Sequence, residues 1–296
     1  MTNQIQLIDI FTKNRQIFFY FVNSCNATYR RGHDLEYYRQ IIEMHRTKKD
    51  LNYLLDDNMI YALLHKTLEK WNMNQQGAKL ASVDTIQKSI LSERHNLVKL
   101  YNYQLHCLNK KQVFSEVLPM ISNVFHNLKI MASQSKLVGV SKALHFLLPD
   151  LVTPVDNKYT LFFFKKSSGK NKEFNTFEDV FIKTYRITDS LLLKENDFDG
   201  KHWNTSIPKL IDNAIIGFYK FTEVNSLETV LSMMETLIRL DLDEKYFLRK
   251  LLEDHYRKLP IRQKTKKQIL LQKAKQAGIT VSEEEIKAEM AKRKQV

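Results

Sequence analysis

The sequence predicts an all-α protein, a multi-helix globular body followed by a basic C-terminal tail. Three observations carry this. The 296 residues include only 7 glycines and 5 prolines, the two residue types that most disfavour a helix interior. Apolar residues recur at spacings of three and four, the period of a helix with one buried face. No alternation of apolar and polar residues runs long enough to define a sheet, and no repeat of solenoid length is evident. Hydrophobic residues make up 43% of the chain, enough for a sizeable core.

Each element can be justified in order. Residues 4–24 carry Ile5, Ile8, Ile10 and Phe11, then Phe18, Phe19, Phe21 and Val22, and read as a buried first helix. Helices follow near 34–46 and 51–71, the second with Leu54, Leu55, Ile60, Leu63, Leu64 and Leu68 on one face. After the link WNMNQQGAKLAS, Ser82 is placed to cap a helix beginning SVDTIQ. Two more helices fit 93–108 and 111–131.

On a helix covering 136–148, Leu137, Val140, Leu144 and Leu147 form an apolar stripe. Lys142 lies about 200° from Leu144 and points away from that stripe, accompanied by His145. Pro149 bounds the helix. Pro154 directs the chain outward, and Asp156 is placed to cap a helix starting NKYTLFFF. The strand-like hexad LFFFKK follows that cap and is therefore read as helical.

Thr176 with Asp179 resembles a helix-start box before VFIKTYRITDSLLL. Pro208 suits the first turn of IPKLIDNAIIGFYKF. Asn225 with Glu228 opens LETVLSMMETLIRL, and DEKYFLRKLLEDHYRK adds one more helix. Pro260 marks the boundary between a body of residues 1–258 and a tail of 259–296. Ser282 with Glu285 could cap a last short helix in that tail.

Charge and cysteine usage narrow the class. From Arg257 to Val296 there are 12 Lys or Arg against 4 Glu, a net +8, which leaves +5 for the rest of the chain. A basic tail suggests a polyanionic partner, and a solvated appendage accounts for the same composition. Two cysteines, Cys25 and Cys107, exclude a disulfide framework and a four-cysteine zinc or iron–sulfur site. A reducing, cytoplasmic setting fits. Asp9, Lys13 and Arg15 interrupt the apolar N-terminus, which does not read as a signal peptide. The longest apolar runs are too short to span a bilayer.

Common cofactor chemistry has no motif here. There is no glycine-rich phosphate loop of either usual type and no HExxH pair, so neither cofactor nor metal is expected. His145 is a lone imidazole beside a helix core, a structural residue more often than a ligand. Asp56–Asp57 and Asp241 with Asp243 read as helix ends, and Met233–Met234 as an apolar helix face.

The order of turn, glycine, lysine-bearing helix and a loop ending in "PVD" resembles the helix-hairpin-helix DNA glycosylase superfamily over about residues 136–160. In that superfamily a hairpin of the LPGVG type precedes a helix carrying a nucleophilic lysine, and a "VD" aspartate assists at the next helix start. The resemblance implies a hairpin at Leu137–Ser141 around Gly139, with Lys142 as nucleophile and Asp156 as its partner. It places Gly139, Ser141, Lys142 and Lys158 against the nucleic-acid backbone. Ser141 stands where the second hairpin glycine would be, and Lys142 comes one position earlier than the family's lysine. The segments WNMNQQGAKLAS, SKALHFLLPDLVTPVDNKYT and PKLIDNAIIGFY also resemble a group of prokaryotic proteins, over about residues 50–220.

Two function classes follow. One is a nucleic-acid-binding protein, DNA favoured, on a glycosylase-like scaffold that acts on a flipped base. Tyr159 and Phe162–Phe164 are then candidates to stack on that base. The other is a non-catalytic helical scaffold whose tail, with Lys264, Lys266 and Lys267, binds RNA, DNA or an acidic protein partner. A peripheral membrane contact through the tail ranks last, because the tail's apolar face is thin.

Overall fold

The computed structural model describes residues 7–28, 32–75, 77–166 and 172–224. The chain divides into two compact units, Met1–Lys220 and Phe221–Val296. The boundary expected at 258/259, the three helix starts expected beyond residue 224, and Lys264, Lys266 and Lys267 lie outside the described residues.

The described residues are all-α. No strand occurs among them, and a single antiparallel bridge joins Leu80 to Met131. The first expected helix is two, α1 (Leu7–Lys13) and α2 (Arg15–Thr28). Asn14 separates them, because its side chain accepts the Ile17 amide at 3.0 Å and starts a new helix. Helix α3 (Gly32–Lys48) follows. The predicted helix 51–71 also splits, into α4 (Leu51–Leu55) and α5 (Met59–Lys70). The polar run Asp56-Asp57-Asn58 breaks it, and Asp57 Oδ1 accepts the Met59 amide.

Ser82 caps α6 (Val83–Ser92) as expected, its hydroxyl accepting from Thr85 N at 3.2 Å. Helix α7 (Arg94–Tyr101) stops well short of 108, and a 3₁₀ turn at Leu105–Cys107 intervenes. A reciprocal Asn109–Gln112 cap opens α8 (Lys110–Gln112), which passes through a π turn at Val113–Val117 into α9 (Leu118–Asn127). Pro119 explains the widened turn: it has no N–H to give, and its ring would clash with the carbonyl four residues back.

The remaining elements are α10 (Leu137–Leu147), the single turn α11 (Thr160–Phe163), α12 (Glu173–Ser190) and α13 (Ile207–Val224). Helix α12 begins three residues before the expected Thr176 box. Glu173 is used differently from a cap of its own helix: its Oε1 accepts the amides of Lys136 at 2.9 Å and Leu137 at 3.3 Å. A carboxylate from α12 thus satisfies the open N-terminus of α10.

Helix α10 is buried on all sides, from Leu137 through Leu147 apart from the half-buried Val138. Helices α3, α5 and α12 pack against it. Helices α1, α2, α11 and α13 share an aromatic cluster of Phe11, Phe18, Phe21, Phe163 and Phe218. Phe11 stacks on Phe163 at 4.7 Å, and Phe218 meets Phe21 edge-on at 5.4 Å. At Gly217 the backbone of α13 touches that of α2, where a Cβ would overlap the Phe21 carbonyl. Ser206 ties the start of α13 to the end of α10 by donating to the Pro149 carbonyl at 2.8 Å. Among the described residues no helix is long and apolar enough to cross a membrane.

Candidate functional site

The end of α5, the N-terminal half of α10, the loop 153–159 and one face of α13 enclose a cleft of about 740 Å³. Its floor is charged, and each charge can be traced to its element. Trp71 ends α5, so its carbonyl has no helical donor, and Lys142 Nζ from α10 donates to it at 3.1 Å. The same ammonium donates to Asp156 Oδ2 at 3.2 Å and lies 5.8 Å from the Trp71 ring centroid. Lys142 is 5% exposed.

The loop holds Asp156 in place through Ser141. Its hydroxyl accepts the Val155 amide at 3.1 Å and donates to the Val138 carbonyl at 3.0 Å. Asp156 Oδ1 accepts the Lys158 amide at 2.8 Å, and Thr160 Oγ1 accepts the Asp156 amide at 3.1 Å. The carboxylate therefore shapes a turn and faces Lys142.

Several expectations are corrected by this geometry. Lys142 points away from the leucine stripe yet is buried, because that face of α10 is covered by α5 and the loop. Asp156 is not the cap of the following helix, which starts only at Thr160. Gly139 sits in the first turn of α10 rather than in a hairpin, and a Cβ there would overlap Met131 Sδ. Ser141 is fully buried and cannot reach a nucleic-acid backbone. Phe163 and Phe164 are core residues, so neither can stack on a base. Lys158 and Tyr159 do line the cleft, and Phe162 is 36% exposed against the Tyr219 ring.

Sequence reasoning missed half of the site. Lys209 and Asp212, three apart on α13, form a buried ion pair in the same cleft. The Lys209 ammonium lies 5.2 Å from the Trp71 ring centroid and 4.9 Å from that of Trp203. Burial pushes the Asp212 carboxyl up, opposed by Lys209 and by Lys142, while Asp156 reinforces the rise. Asp212 thus feels the other three charges of the floor. A signal was available: Lys209 and Asp212 are charged residues among the apolar Ile207, Leu210, Ile211, Ile215 and Ile216, where nothing but a partner makes burial tolerable.

Behind the tryptophans lies a neutral network. His145 Nδ1 donates to the Val152 carbonyl at 2.7 Å, which leaves Nε2 to accept from the Tyr38 hydroxyl at 3.0 Å. Tyr38 in turn accepts from Thr205 at 2.6 Å. His45 Nε2 donates to the Phe146 carbonyl at 2.8 Å. Burial pushes His45 down to about 4 and His145 to about 3, the Lys209 ammonium adding to the latter.

These histidines make stability pH-dependent. Below their ordinary value of 6.5, the unfolded chain binds protons that the folded one refuses. Their contribution is complete above that value and declines as pH falls towards 4 and 3. By pH 5 the loss is on the order of 2 kcal/mol for each histidine. Asp150 and Asp212, both raised by burial, act in the opposite sense at the lower end of the window. Thermal melts should show a lower midpoint at pH 5 than at pH 7, and His45→Gln should flatten that slope. An unchanged midpoint would mean that both imidazoles protonate within the fold.

Among the described residues no group of three or more His, Cys, Asp or Glu could hold a metal ion. No family model, curated protein or solved structure matches the chain.

Proposed function

We propose that the protein acts on nucleic acid, DNA in the first instance, on a glycosylase-like helical scaffold. The cleft accepts a nucleotide unstacked from its strand, Lys142 is the amine nucleophile, and Asp156 receives its proton. The observation that carries this reading is the Lys142–Asp156 pair, at 3.2 Å, on the floor of an open cleft. A surface lysine and a helix cap would have had no reason to meet there. Half-buried Trp71 and Tyr159 give the cleft aromatic lining for a base. The net charge of +13 favours a polyanionic partner.

The chemistry needs a neutral amine. Transfer of one ammonium proton to Asp156 frees the lone pair, which attacks the sugar C1′ as the bond from C1′ to the base breaks and the base leaves, taking up a proton. At an abasic site the amine condenses with the open-chain aldehyde and water leaves, giving an imine that borohydride reduces to a stable amine. The expected result is a trapped protein–DNA adduct on abasic or damaged DNA. Lys142→Ala should abolish it, and Asp156→Asn should slow it by about 100-fold or more. Asparagine keeps an acceptor for the Lys158 amide, so the turn survives.

Base release is assayed in parallel, because a glycosylase using activated water leaves no adduct. Neither adduct nor release on any DNA, with binding intact, would overturn the catalytic reading. If salt-sensitive binding is then lost on removing residues 259–296, the helical scaffold with a nucleic-acid-binding tail is the better account.

A further inference from the structure

We infer that Lys209 and Asp212 are the recognition pair of the cleft, reading the hydrogen-bonding edge of a planar heterocycle such as a nucleobase. The inference rests on the cleft's being a nucleoside pocket and adds which residues select its occupant. Lys209, Asp212 and Ile216 follow helical spacing on the cleft face of α13. Lys209 Nζ gives one hydrogen to Asp212 Oδ2 and lies beside the Trp71 and Trp203 rings, which accept no conventional hydrogen bond. Asp212 Oδ1 receives no hydrogen bond among the described residues, and Asp212 lines the cleft. A donor and an acceptor therefore stand side by side next to the two indole rings.

Adjacent donor and acceptor match the amide edge of guanine or uracil and the amidine edge of adenine or cytosine. A ring lacking the exocyclic group would leave one member of this buried pair unsatisfied, which is how buried polar groups reject analogues. Lys142 and Asp156 already satisfy each other and the Lys158 amide, so they are poorly placed for this task. Reaction at Lys142 and reading at Lys209–Asp212 fall to different elements of one cleft.

The chain contains two tryptophans, Trp71 and Trp203, and both line the cleft, so emission excited selectively at tryptophan reports this site. Titration of the intact protein with guanosine, adenosine and unsubstituted purine riboside is expected to quench emission. At least one of the first two should bind tenfold or more tightly than purine riboside. Asp212→Asn, measured well below its own melting temperature, should shrink that ratio to within about threefold. Equal affinity for all three nucleosides, or no fluorescence change with any of them at millimolar concentration, would overturn the inference. Should Asp212→Asn fail to fold, the wild-type ratio decides by itself. Discrimination without a borohydride adduct would leave this pair standing and remove the role of Lys142. An adduct without discrimination would do the reverse.

Discussion

Gly217→Ala is expected to be among the most destabilising single-methyl changes in this protein. A Cβ at 217 would run into the Phe21 carbonyl oxygen and carbon, with the Cys25 amide nitrogen 3.2 Å away. These are backbone atoms, so no rotamer change relieves the overlap and α13 must lift from α2 as a body. That separation also disturbs the packing of Phe218 against Phe11 and Phe21. Overpacking of this kind costs about 3 kcal/mol, or ~6–12 °C in Tm for a unit of this size. Gly77→Ala is the informative control. Gly77 has φ +84°, but an added methyl there would meet nothing within 4 Å. Its cost, about 1 kcal/mol, is conformational alone. Thermal melts that rank the two variants the other way would show that α2 and α13 are not in backbone contact.

The second large effect concerns the buried Lys209–Asp212 pair, whose side chains are 3% and 6% exposed. Lys209→Met removes the ammonium and leaves a carboxylate that burial already disfavours. Breaking such a pair on one side costs about 3–5 kcal/mol. The double variant Lys209→Met with Asp212→Leu removes both charges and should recover most of that loss. A charged pair kept for stability would leave the double variant no better than the single one. Recovery in the double variant, combined with loss of nucleoside discrimination, would assign the pair to ligand recognition at little benefit to the fold. Chemical denaturation of the wild type, both single variants and the double variant completes the cycle.

Much of the helical content was legible along the chain because capping and amphipathic spacing are local. Ser82 capped the helix it was expected to cap, and Pro208 lies in the first turn of α13. Boundaries were less legible. Asn14, Asp57 and Pro119 each divert the backbone by a side-chain bond or a missing N–H, and apolar periodicity runs straight through all three. The site was half legible. Lys142 and Asp156 were singled out from the order of glycine, lysine and "PVD", but their meeting depends on Ser141 pinning the loop to α10. Trp71 and Trp203 were not chosen, since 132 residues of sequence separate two rings whose centroids are 6.0 Å apart.

The sequence by itself determined that this protein is helical, where several of its helices begin, and that it carries surplus positive charge. Tertiary structure alone decided that α10 would be buried on every side. An apolar stripe defines only one preferred face, whereas neighbours on every side can bury the other as well. It also decided that four charges would share one floor. Lysine and aspartate leave water only when a partner is within reach, and that partner came from α5, a loop or α13 according to packing that local spacing does not encode.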